Sequence, residues 1–157
     1  MIRFDVLGTP APKGSNRAML IGGRARFVPG GSKVNAEKQR GFSAAIREKI
    51  AENASQWGLA QGPAFVRTAL SVHIVFRLAR PGGHWGSGKN AGRLKPGAPL
   101  APATVPDVDK LARHAIDVLT GSIFDDDSRI VELVVRKEYA EPGREGATIS
   151  VDEWREP

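Results

Sequence analysis

The residues of this chain best suited to chemistry are five aspartates in two groups: Asp107 and Asp109 on either side of Val108, and the unbroken run Asp125-Asp126-Asp127. Three carboxylates brought into one pocket repel one another, and a hard cation relieves that repulsion. An all-oxygen donor set suits magnesium, which also recruits phosphate oxygens. Each group has an ordinary structural use as well. Asp107 can cap a helix and Asp109 can gain from the helix dipole, a role worth about 0.5–2 kcal/mol, and the run from Asp125 to Asp127 suits a solvated turn.

Whether the two groups meet is a matter of length. A helix over Pro106 to Leu119 of about 13 residues spans about 20 Å, and the five residues Thr120 to Phe124 reach back at most about 17 Å. The groups converge only if the helix is short or the following strand docks antiparallel beside its N-terminus.

Composition narrows the chemistry further. With no cysteine among 157 residues, thiol catalysis, disulfides and zinc knuckles are excluded, and His73, His84 and His114 are too scattered for a transition-metal site. The net charge, 23 − 17 = +6, gives a field attractive to polyanions and makes nucleic acid the leading partner class. The charged N-terminus does not read as a secretory signal and no apolar run is long enough for a bilayer, so a cytoplasmic protein without membrane contact is expected.

The basic residues concentrate in two loops. One is Pro10 to Arg17, carrying Lys13 and Arg17 among residues that continue neither strand nor helix. The other is 80–102, rich in Gly, Pro, Lys and Arg, poor in aliphatic side chains and therefore expected to be mobile. Its Arg80, Lys89, Arg93 and Lys95 suit phosphates, and Trp85 suits an unstacked base. Within it Gly83 to Asn90 nearly matches a phosphate-binding loop, but Asn90 replaces the required hydroxyl and Gly92, Pro96 and Gly97 leave no room for the helix such a loop must open. No nucleotide cofactor is expected.

Around these loops, period-two alternation marks strands at 2–7, 65–78 and 130–139, the last with Val131, Leu133 and Val135 on one face. Gly22-Gly23 suggests a hairpin within 18–28. Helical spacing marks 35–53 and 106–119, with Pro106 in the first turn and Gly121 past the end. The turn 141–146 then leads to a partner strand with Ile149 and Val151, closing the chain as a hairpin. The order predicts a single α+β domain over 1–157: a mixed β-sheet with two main helices packed on one face.

Three segments together resemble a known family. Pro106-Asp107-Val108-Asp109-Lys110-Leu111-Ala112-Arg113, Asp117-Val118-Leu119-Thr120-Gly121 and Asp126-Asp127-Ser128-Arg129-Ile130-Val131 look like the RusA-type Holliday junction resolvases, whose pattern is roughly P-D-x-D-N-L-x-K, D-x-L, D-D-x-x-V. Weaker similarity covers Gly8 to Gly14 and Val134 to Lys137.

The resemblance implies a homodimeric, magnesium-dependent endonuclease, with manganese as a substitute, that nicks four-way DNA junctions symmetrically. It places the metal-binding carboxylates on Asp107, Asp109 and Asp127, with Asp126 supporting them. Lys110 stands where the family has Asn, and Arg113 where it has a catalytic Lys; arginine stays protonated and suits a phosphate clamp better than proton transfer. Lys110 joins Lys13, Arg17, Arg80, Lys89, Arg93 and Lys95 as a residue expected to contact DNA. Such proteins occur in bacteria and their phages and prophages. A basic DNA-binding accessory protein without catalysis is the alternative reading of the same surface.

Overall fold

Periodicity decides most of the elements in the computed structural model, which describes residues 1–14, 16–29 and 32–156 and, within 16–29, mainly the backbone. Ile2, Phe4 and Val6 are buried and alternate with exposed neighbours in β1 (Ile2–Leu7). Next come β2 (Asn16–Ile21) and β3 (Arg24–Pro29), a separate antiparallel pair whose turn residues Gly22 and Gly23 have φ of 58° and 75°. Both values fit the primed turn that the Gly-Gly pair predicts.

The helix α1 (Lys33–Asn53) starts two residues earlier than periodicity suggests, because the Ser32 hydroxyl caps it by accepting from Asn35 N at 3.1 Å. Phe42, Ser43, Ile46 and Ile50 form its buried side.

The central strand β4 (Leu70–Leu78) buries every second residue from Leu70 to Leu78. It does not reach back to residue 65. Phe65 N donates to Ile123 O, Asp125 N to Phe65 O and Arg67 N to the Asp125 carboxylate, so this stretch pairs with the later turn instead. The chain bends at Arg67, φ 57°, and Val66 is left exposed.

The remaining elements are α2 (Val108–Leu119), β5 (Ile130–Tyr139) and β6 (Gly146–Glu153). The sheet runs β1-β6-β4-β5, with β5 parallel to β4 and the other neighbours antiparallel. The expected mixed sheet is present, and α2 is the crossover that parallel β4 and β5 require. The expected closing hairpin is not, since β6 pairs with β4 and β1 while β4 lies between β5 and β6. A turn signal fixes the reversal of direction, but the apolar side chains of Ile149 and Val151 need burial on both flanks, and the interior gap between β1 and β4 supplies it.

A register shift at the head of β5 also alters one face. Ile130 opposes Leu70 and Glu132 opposes Ser71, so Val131 is the extra residue of a bulge. Leu133 and Val135 lie on the helix side of the sheet as expected, Val135 packed against the core and Leu133 part-exposed at its margin, while Val131 is exposed.

Both helices cover the face carrying Phe4, Val72, Ile74, Phe76, Ile149 and Val151, all buried. From α2 the core takes Leu111, Ala115, Val118 and Leu119, each large aliphatic contributing about 1.5–3 kcal/mol by burial. Pro106 precedes this helix rather than entering it; Asp107 is the capping position. The segment 80–102 is laced to itself: Gly86 N donates to Arg93 O at 2.8 Å and Lys95 N to His84 O at 2.9 Å around two 3₁₀ turns. Among the described residues no helix is long and apolar enough to cross a membrane.

Candidate active site

The start of α2 sets the first two aspartates. The Asp107 carbonyl accepts the opening helical bond from Leu111 N at 3.1 Å, yet its side chain makes no capping bond. The carboxylate turns outward to Lys110 Nζ at 2.8 Å. That ammonium, by its hydrogen bond and charge, holds Asp107 below the ordinary carboxylate pKa, and Lys137 adds to the effect. The capping explanation therefore accounts for Asp107's backbone and not for its carboxylate.

Asp109 stands in the first helical turn, exposed. At spacings of four along α2, Arg113 and Asp117 follow on the same side. All three line a cavity of about 480 Å³ whose walls also include Val108, Ala112, Ile116, Leu133, Val135 and Asp127. The cavity is a groove between α2 and β5 with an apolar floor and a charged rim.

Asp127 reaches this groove because the chain after α2 doubles back tightly. Gly121 N donates to Phe124 O at 2.7 Å, and Ile123 and Phe124 are fully buried, pinning the return. The aspartate run then divides its work. Asp125 accepts from Arg67 N at 3.2 Å. Asp126 accepts from Ser128 N at 2.8 Å, which shapes the 3₁₀ turn Asp127–Arg129, and hydrogen bonding by the Ser128 side chain and then its backbone lowers the Asp126 pKa. Asp127 alone of the run lines the cavity.

Of the three carboxylates that the family pattern assigns to metal, two thus share one cavity while Asp107 lies outside it, against Lys110. Among the described residues no group of three or more His, Asp or Glu side chains is placed to hold a metal ion. Asp109 and Asp127 nevertheless fit magnesium, which typically takes one or two carboxylates and fills its other positions with water and substrate phosphate.

Two contributors, Lys137 and Asp117, have no role assigned from the sequence. Lys137, on β5, donates from Nζ to Thr104 O at 2.5 Å and to Pro106 O at 2.8 Å, clamping the strap that delivers Asp107. Asp117 pairs with Lys13, whose backbone N also donates to Lys110 O at 3.0 Å. The i, i+4, i+8 spacing of Asp109, Arg113 and Asp117 was the available signal; the partners of Lys137 and Lys13 lie too far along the chain for any pattern to show.

Behind them, buried His114 joins three elements. Its Nδ1 donates to Ala11 O at 2.7 Å, and its Nε2 accepts from the Ser43 hydroxyl at 2.8 Å. Replacing His114 by Ala strands both partners in the interior and should lower unfolding free energy by about 2 kcal/mol, measured in urea; a change within error would show that water satisfies them.

The other expected DNA contacts are spread over the surface. Arg80 lies over the Tyr139 ring at 3.9 Å and donates to Pro99 O, Lys95 Nζ donates to Gly83 O, and Lys89 and Arg93 are exposed. The Arg17 side chain lies outside the described residues.

The chain is similar to known proteins over most of its length. The chain is 28% identical over 144 residues to the uncharacterized protein YqaN of Bacillus subtilis (strain 168), covering 91% of each. The model of the family described as Endodeoxyribonuclease RusA matches residues 22–151, a span holding both aspartate groups, α2 and the whole of β5. An acidic groove built on that span of a basic chain is what a DNA-cutting family would share, and the chain belongs to the RusA endodeoxyribonuclease family.

Proposed function

We propose that this protein cuts four-way DNA junctions by paired, symmetric nicks, acting as a homodimer with magnesium, or manganese in its place, in a bacterial cytoplasm. The observation that carries the reading is the meeting of Asp109 and Asp127, from opposite ends of the α2 excursion, in one groove beside Arg113.

Asp109 and Asp127 would hold the cation, with Asp107 at the helix start as the third carboxylate of the family set. Bound there, magnesium would supply positive charge to the scissile phosphate and acidify the attacking water. Arg113, one helical turn from Asp109, clamps a phosphate oxygen bidentately and stabilises charge without moving a proton. Lys13 balances Asp117 at the far rim and presents a second cation to the backbone. Lys110 neutralises Asp107 until substrate arrives. Arg80, Lys89, Arg93 and Lys95 follow the phosphates outside the groove, and hydrolysis leaves 5′-phosphate and 3′-hydroxyl ends.

An end-labelled four-way junction and a linear duplex of the same sequence, incubated with and without magnesium, test this reading. The junction alone should be cut, and only with the metal; equal cutting of the duplex would overturn junction selectivity. Within the same assay Lys137→Met should slow cutting by about 10- to 100-fold at unchanged junction affinity, because groups that orient metal-site residues carry effects of that size. Lys137→Arg, which can still donate to both carbonyls, should recover part of the loss. A fall in affinity equal to the fall in rate would make Lys137 a DNA contact instead.

A further inference from the structure

The sheet has two outer strands, and they differ. In β1, six residues long, the apolar side chains Ile2, Phe4 and Val6 are buried, and the outward positions are two charges, Arg3 and Asp5, and Leu7 at the strand's end. β5 is ten residues long, bonds β4 along one edge, and among the described residues pairs with nothing along the other. Its Val131, Leu133 and Val134 are 59%, 46% and 48% exposed. A long edge with open backbone groups and apolar side chains is a template for another strand.

We propose that the strand it takes is β5 of a second copy of this chain, antiparallel about a two-fold axis through Val134. Deepening the dimeric reading above and resting on it, the inference is selected by charge. About that axis Val134 meets the partner's Val134, Leu133 meets the partner's Val135, and Glu132 meets the partner's Arg136 twice over. Glu132 and Arg136 are 48% and 69% exposed on the same open face, where within one chain Glu132 pairs with His73 and Arg136 with Glu138. An axis through Leu133 would set Glu132 against an apolar valine, and one through Val135 would set Glu132 against the partner's Glu138. Registers offset by one residue would put the two helix layers on opposite faces.

The pairing makes one eight-stranded sheet from two four-stranded ones. Because Leu133 and Val135 line the acidic groove, the two grooves flank the axis on the same face of that sheet. An isologous contact of this kind offers two identical sites to a two-fold substrate.

The chain has no cysteine, so Val134→Cys introduces a single thiol. Directly opposed residues in an antiparallel pair have Cα atoms about 4.5–5.5 Å apart, inside the roughly 4.4–6.8 Å that a disulfide spans. Mild oxidation should convert Val134→Cys to a covalent dimer, while Ser150→Cys, on the same open face of β6, stays a single chain on a non-reducing gel.

Independently, Glu132→Arg or Arg136→Glu should each raise the dimer dissociation constant about tenfold by sedimentation equilibrium, and the double exchange should return it to within about threefold of wild type. Wild-type protein that sediments as a monomer with and without junction DNA would overturn the dimeric reading and this interface together. A wild-type dimer that neither crosslinks through Val134→Cys nor responds to the charge exchange would overturn the interface and leave dimerisation standing.

Discussion

Replacing Asp109 by Asn should slow junction cutting at least about a thousandfold while changing junction affinity less than about threefold, the signature of a group needed in the transition state rather than for binding. The substitution keeps the side chain's size and removes its charge. Asp109 is exposed and packs in no core position, so folding should be untouched. Without that carboxylate the groove retains Arg113, with Lys13 beside it, to grip phosphate and loses one of the two anions that would hold a divalent cation. Asp127→Asn should behave alike, and the double variant should be no slower than either single one, because groups serving one ion act as a unit. Single-turnover cutting and gel-shift titration of the same labelled junction measure both quantities. Cutting that survives Asp109→Asn would remove the groove from the mechanism.

The largest effect on stability should come from Gly146→Ala. Gly146 opposes Leu7 where β6 enters the sheet beside β1, with φ of 156°. A Cβ there would lie 1.8 Å from Val6 O and 2.9 Å from Val6 C. Both are backbone atoms, so no rotamer change gives relief, and β1 and β6 would have to part at an end also held by Gly8 N donating to Glu145 O. A loss of at least about 3 kcal/mol in urea unfolding is expected, the range of severe backbone strain. A loss under about 1 kcal/mol would show that this end of the sheet opens without disturbing the core.

How far the sequence discloses this protein depends on the range of the interaction concerned. Local patterns read well: the Gly22-Gly23 turn, the amphipathic α1 and the buried stripe of α2 each follow from neighbours within a turn or two. The short motif spanning Asp107 to Ile130 disclosed the family because its spacing is itself local.

Partners distant in sequence were illegible. Phe65 and Arg67 leave the strand to bond the turn at Ile123 and Asp125, β6 enters the sheet between β1 and β4, and Lys137 clamps the strap at Thr104 and Pro106. The site divides along the same line. Three aspartates were nominated, but only the fold could put Asp127 in the groove with Asp109, leave Asp107 on Lys110, and add Asp117 through Lys13.

Manganese binding, followed by the loss of the free-ion paramagnetic resonance signal as metal is titrated into protein without DNA, tests most directly whether Asp109 and Asp127 hold one cation. The wild-type chain should bind the ion, and Asp109→Asn, Asp127→Asn and the double variant should all lose that binding to a similar degree. Undiminished binding by Asp127→Asn, with Asp109→Asn impaired, would contradict a shared site.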